Sequence, residues 1–346
     1  NRLARDIHRL APEDLAAQFE LLTQRWKVYH LLGDRAAEAA DLARQAQLAE
    51  IMKDDHCLAQ VAVDQARFQL VIGAYEEALT LSARAQTLTE ATSDGALKAR
   101  AMASRGNSLM FLGEYDEARA ALEGALELAR SAGADSVLMD ITRILGVVAE
   151  EQGDFDAQRR FYEESLRLAH ELGDRVGVRR ALNSLGIVAL NRGAHAEARD
   201  YYEQSLAIAR AIGDRMGEGT VLGNLGVLAS NLGEYQKARQ LFEDALTIAH
   251  EANDRTGVNY NMLNLAGILA HLGETDAAVA RYDEALGGAR ETGDRPLIGY
   301  ILNGKGRALL EGGRLAEAVE VLRSALDLRL ELGQNHLATE TRAYLS

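Results

Sequence analysis

Apolar residues along this chain fall in a helical rather than a strand rhythm. Between Asp174 and Gly213, the residues Val178, Ala181, Leu182, Leu185, Val188 and Ala189 recur at the i, i+3, i+4, i+7 spacing of an amphipathic helix. Asp174 stands where an N-cap accepts from the free backbone N–H groups of a first turn. Gly193 stands where that helix should end, because glycine enters the left-handed region without steric cost. A second stripe follows in Ala198, Tyr202, Leu206 and Ala209, and Gly213 closes it. Asp214 then opens the next segment. The pattern predicts two antiparallel helices joined by a tight turn.

The unit repeats. Glycines stand 40 residues apart at Gly33, Gly73, Gly113, Gly153, Gly193, Gly233, Gly273 and Gly313. Five residues after each come Glu38, Ala78, Ala118, Gln158, Ala198, Ala238, Ala278 and Ala318. Seven residues before each come Trp26, Ala66, Gly106, Gly146, Gly186, Gly226, Ala266 and Gly306. The stop-and-start pairs recur as Gly133/Asp135, Gly173/Asp174, Gly213/Asp214, Asn253/Asp254 and Gly293/Asp294. Asn253 is among the few non-glycine residues that tolerate a left-handed backbone.

A lone helix hairpin cannot cover its own apolar stripe, so successive hairpins must stack. Small residues at Gly186, Gly226, Ala198 and Ala238 let the helices approach closely, while Tyr202, Phe242 and Tyr282 with Leu206, Leu246 and Leu286 fill the space between hairpins. The expected architecture is an all-α solenoid of antiparallel helix pairs. Residues 13–333 form eight 40-residue pairs, residues 1–12 an N-terminal segment or capping helix on Leu3, Ile7 and Leu10, and residues 334–346 a partial ninth first helix. Neither end carries the polar face of a cap. The expectation is a piece of something longer, or ends open to self-association.

These residues resemble the tetratricopeptide repeat in its 40-residue variety. That family takes a small residue at repeat position eight, Ala at twenty, an aromatic at twenty-four and a small residue at twenty-seven. Here those are Gly226, Ala238, Phe242 and Ala245 in the sixth copy, and Gly186, Ala198, Tyr202 and Ser205 in the fifth. The resemblance implies a right-handed superhelix whose first helices line a concave groove at positions two, five, six, nine and thirteen. Departures gather in the first copy (Trp26, Glu38, Gln45), the second (Ser82) and the fourth (Gln158), which predicts irregular packing or a bend there. The wording of Gly113–Arg119 and Ala125–Arg130 resembles C-terminal arrays of bacterial signalling proteins.

Composition narrows the function classes. A net charge of −14 repels phosphate backbones and anionic membrane surfaces, so neither nucleic acid nor a membrane is expected as a partner. Two prolines leave helices uninterrupted. The single cysteine, Cys57, cannot form an internal disulfide and has no Cys/His cluster in its sequence surroundings, which points to the cytoplasm. Asn1–Leu10 alternates charge with Leu and Ile and does not read as a signal peptide.

Candidate chemistry is sparse. Gly299–Gly306 has the glycine and lysine spacing of a phosphate loop, but Gly306 takes the place of the Ser/Thr, and the register puts the segment inside a helix. The eight histidines show no metal spacing; His170 and His250 share the register of Arg130, Arg210 and Arg290 near a helix C-terminus, where a cation complements the dipole. No nucleophile–base pair is apparent, so the chain is expected to be no enzyme and to need no cofactor or metal. The Asp-Arg doublets such as Asp214/Arg215 read as a cap followed by a solvated cation.

The distinctive polar set lies on first helices. It comprises Arg180, Asn183, Asn191, Asn224, Asn231, Tyr260, Asn264, His271, Tyr300 and Arg307. Asn is a poor helix former, so its recurrence mid-helix needs a reason. An amide donates and accepts at once and can hold an extended peptide backbone in the groove; the competing reading is that these amides bridge adjacent helices or merely face water. Gly223 and Leu263 beside the asparagines argue against a carboxylate-clamp groove. The expected partner is a protein or peptide held on a non-catalytic scaffold. The alternative is a regulatory or sensor region of a larger signalling ATPase, cyclase or transcription activator.

Overall fold

The computed structural model describes residues 14–90 and 92–345, so the segment expected at 1–12 lies outside the described residues. Seventeen helices and no strand occur among the described residues. Backbone contacts divide the chain into two compact units, Asn1–Asp174 and Arg175–Ser346. The first unit stacks four pairs: α1 (Leu15–Leu32) with α2 (Arg35–Met52), α3 (Asp55–Val71) with α4 (Tyr75–Thr89), α5 (Gly95–Leu112) with α6 (Tyr115–Ser131), and α7 (Asp135–Glu151) with α8 (Phe155–Leu172). The second stacks α9 (Arg175–Asn191) with α10 (His195–Ile212), α11 (Arg215–Asn231) with α12 (Tyr235–Glu251), α13 (Arg255–His271) with α14 (Thr275–Thr292) and α15 (Arg295–Glu311) with α16 (Leu315–Glu331). A further first helix, α17 (Asn335–Leu345), follows. Each unit is thus an all-α helical-repeat solenoid. No described helix is long and apolar enough to cross a membrane.

Turn chemistry sets the helix ends. Gly193 has φ +74° and Asn253 φ +52°, the left-handed conformation that lets the chain reverse. Asp214, Asp254 and Asp294 each accept from a first-turn N–H, at 2.9, 3.0 and 3.0 Å. Asp135 departs from this expectation: it lies inside the first turn of α7, and the N-cap is Ala134, which offers no side-chain acceptor. There the carboxylate faces the helix dipole without capping it.

The apolar stripes form the core. Val178, Ala181, Leu182, Leu185, Val188 and Ala189 of α9 are all buried, as are Ala198, Tyr202 and Ala209 of α10. In the fifth and sixth copies glycine at repeat position eight makes room for the aromatic at position twenty-four, whereas the seventh fits Ala266 beside Tyr282. A Cβ on Gly186 would stand 2.4 Å from Cε1 of Tyr202, and one on Gly226 2.7 Å from Cε1 of Phe242. In the second copy Ala66 replaces that glycine and Ser82 the aromatic, both fully buried. The first copy is irregular in a different way. Trp26 is buried in the glycine's register, and Glu38 is buried with His30 Nδ1 and Arg35 Nη1 each 2.7 Å away. Gly299–Gly306 is helical within α15, and a Cβ on Gly306 would meet Leu322 Cγ at 2.5 Å. The phosphate-loop spacing is therefore repeat packing.

Candidate functional site

In the second unit the first helices α9, α11, α13 and α15 carry the polar set. Residues four apart share a helix face. Repeat position two presents Arg180, Thr220, Tyr260 and Tyr300, all exposed, and the two tyrosines each retain 46% of their accessible surface. About one turn further along lie Asn183, Asn224 and Asn264, all half-buried. The Asn224 amide donates Nδ2–H to Asn183 Oδ1 at 2.9 Å, tying α11 to α9. The Asn264 amide has no hydrogen-bond partner among the described residues. Burial, then the Asp294 charge and the Tyr300 hydroxyl, raises the Tyr260 pKa, so its phenol stays a donor.

Beneath Tyr300 lies a buried network that the sequence did not reveal. Arg329 is 1% exposed, and its guanidinium carbon stands 5.5 Å from the Tyr300 ring centroid. Its Nη1 donates to Leu337 O at 2.9 Å and to Thr341 Oγ1 at 2.7 Å; the Thr341 hydroxyl lies 3.0 Å from Asn303 Oδ1. Burial lowers the Arg329 pKa against the pull of Glu340. A signal existed in the repeat: the register of Arg329 is alanine in Ala209, Ala249 and Ala289. Arg179 is a second buried cation, with Nε 2.8 Å from Asp214 Oδ2 and its carbonyl accepting from Ser205 Oγ at 2.8 Å.

The other predicted residues separate from this stripe. Asn191, Asn231 and His271 are the exposed last residues of α9, α11 and α13. At 1.5 Å per residue they sit about 16 Å along the helix from position two. The His271 ring stacks on Tyr235, centroids 5.0 Å apart at 8°. The same register stacks Tyr75 on Phe111 and brings the Tyr115 hydroxyl to Glu151 at 3.2 Å, so it serves packing between pairs. Arg307 is half-buried seven residues after Tyr300, and its Nε lies 3.6 Å from Glu311. The stripe that remains is Arg180, Asn183, Asn224, Tyr260, Asn264, Tyr300 and Arg307.

The first unit holds a charged cluster on its own first helices. Asp64 is buried, its Oδ1 3.2 Å from Arg100 Nη2, with Lys27 and Arg67 also close. Burial raises the Asp64 pKa, and the three cations oppose that rise. Cys57 needs a correction. Asp54, His56 and Cys57 place ligand-type atoms within 4.8 Å of one another. Their closeness follows from capping: Asp54 Oδ1 accepts from the backbone N–H of His56 at 2.9 Å and of Cys57 at 3.1 Å. Burial, then the Asp54 charge, pushes the Cys57 thiol up to about 11.

The sequence model described as tetratricopeptide repeat matches residues 98–171, 138–211, 177–251 and 259–331. No curated protein matches by sequence. Among solved structures, a Rap protein complexed with competence and sporulation factor is similar at 16% identity, over 95% of this chain and 96% of that one, with a TM-score of 0.63. The apo form of the quorum sensor NprR from B. thuringiensis aligns at 13% identity over 96% and 99%, TM-score 0.59. A signal transduction ATPase with numerous domains (STAND) and a tetratricopeptide repeat sensor, from Pyrococcus horikoshii, aligns at 16% identity and TM-score 0.68. That match covers 95% of this chain and 50% of the ATPase. At such identities the likeness is one of fold.

Proposed function

The chain belongs to the tetratricopeptide repeat family, and from that premise we propose that it is a non-catalytic scaffold holding a peptide or partner helix on the first-helix face of its second unit. Repeats of this fold generally serve as interaction scaffolds. The supporting observation is the pair Tyr260 and Tyr300, each about half exposed in one register of adjacent first helices, beside amides that retain unused hydrogen-bonding capacity. Aromatic rings over polar amides suit a partner backbone flanked by apolar side chains. The amide bridge between α9 and α11 occupies Asn183 and Asn224, whereas Asn264 forms no such bridge and keeps its amide for a partner.

The test is affinity capture with the intact protein and with a Tyr260→Ala/Asn264→Ala/Tyr300→Ala variant of unchanged helical content. Partners retained by the first and lost by the second support the proposal. Identical retention by both contradicts it. A second reading, a sensor region of a larger signalling protein, is favoured by the alignment to half of a STAND ATPase that carries a tetratricopeptide repeat sensor. An effector domain encoded in the same gene would support that reading.

A further inference from the structure

One contact between the two helices of a pair in the second unit is built unlike its neighbours. The register of Gly288 in α14 holds Leu or Ile in the other seven copies, from Leu48 to Leu328. In the neighbouring pairs that large residue packs against a glycine of the preceding first helix. A Cβ on Gly219 would lie 2.9 Å from Ile248 Cγ2, and one on Gly299 4.0 Å from Leu328 Cδ2. At α13 and α14 the sizes are exchanged. Asn259 stands where Gly219 and Gly299 stand, and its Oδ1 would lie 2.1 Å from a Cβ on Gly288.

The exchange does not fill the space. A cleft of about 260 Å³ opens there, with Asn259 as its floor and Ala249 and Val258 as apolar walls. Asn259 is only 4% exposed, yet its amide has no hydrogen-bond partner among the described residues. The amide itself is open to the cleft, where its oxygen and N–H groups are available to a group that enters. The rim is open in the same place. Arg215 and Arg295 reach Glu251 and Glu331 across the equivalent junctions, the first at 2.7 Å. The corresponding Arg255 and Glu291 both line the cleft, and they form no ion pair.

We propose that this cleft binds a free α-amino acid. Arg255 takes its carboxylate, Glu291 takes its ammonium group, and the Asn259 amide reads a polar group carried inward by the side chain. A volume below the several hundred Å³ typical of larger ligands limits the occupant to that size. A guanidinium and a carboxylate lining one small opening favour a molecule that carries both charges close together, as a free amino acid does on a single carbon. The site is formed by the edge of the α12–α13–α14 junction and is independent of the first-helix stripe.

Thermal unfolding of the intact protein with each common amino acid at millimolar concentration tests the proposal. At least one should raise the midpoint by several degrees, while its N-acetyl and carboxamide derivatives should not. The Asn259→Ala/Gly288→Leu variant restores the arrangement of Ala99 with Leu128, which share one apolar cluster, and should abolish the response. Arg255→Ala, which alters only an exposed side chain, should weaken binding at least tenfold by titration calorimetry, and it decides the matter should the double variant misfold. The proposal is overturned by the absence of a midpoint rise with every amino acid, by an equal response to the blocked derivatives, or by unchanged affinity in Arg255→Ala.

Discussion

The side-chain amides of Asn183 and Asn224, 41 residues apart in sequence, meet at 2.9 Å and join two successive first helices. One N–H of Asn224 is spent on that bond, which leaves its carbonyl oxygen and the second N–H for another partner. The bond accounts for part of the asparagine recurrence by structure alone. The unbonded Asn264 carries the binding argument further than the paired residues do.

Replacing Asn224 with Ala should cost about 0.5–1.5 kcal/mol, the usual net value of a neutral hydrogen bond. A double-mutant cycle with Asn183→Ala in urea unfolding should return a coupling of about 0.5–1 kcal/mol. Strictly additive losses would mean that the contact does not persist in solution.

Ala238 is fully buried at the helix crossing within its pair. Ala238→Phe should therefore overpack the core and lower stability by about 1–3 kcal/mol or more. A circular-dichroism melt identical to that of the parent protein would refute this packing.

Asp64 offers a pH test. Burial holds its folded-state pKa above the value of about 3.9 expected when unfolded, so folding favours the protonated form. Its contribution is full below about pH 4 and is lost as pH rises through the folded pKa. Asp64→Asn removes that loss. The stability of the variant relative to the parent should thus be greater at pH 7 than at pH 4, as read from urea midpoints at both. A gap that narrows with rising pH would contradict the direction assigned.

The Cys57 thiol, pushed up to about 11, should be a slow nucleophile at neutral pH. Its alkylation by iodoacetamide should run well below that of free cysteine. Asp54→Ser keeps a capping oxygen but removes the charge, and should accelerate the reaction. An unchanged rate would remove Asp54 as a cause.

Much of the fold was legible because the repeat states each packing rule many times. Gly146 and Tyr162, Gly186 and Tyr202, and Gly226 and Phe242 appear as fixed spacings and become contacts for the same steric reason in three successive copies. The site was less legible. Tyr260, Tyr300 and Asn264 were visible as residues that break the polar pattern of an ordinary helix face. His271 was visible too, but its stacking on Tyr235 depends on the preceding pair and gives no sign within its own helix. Arg329, Asn259 and Gly288 were missed because each is significant only as a departure from its register, alanine in the first case and leucine or isoleucine in the last. Departures of that kind carry the information about individual sites, whereas the agreements carry the fold.

The most direct measurement is titration calorimetry of a captured partner peptide against the parent protein and the Tyr260→Ala/Tyr300→Ala variant, with matching helical content checked beforehand. Loss of the two rings should weaken binding at least tenfold if the first-helix face of the second unit holds the peptide. An affinity equal to that of the parent would place the peptide elsewhere and contradict the assignment.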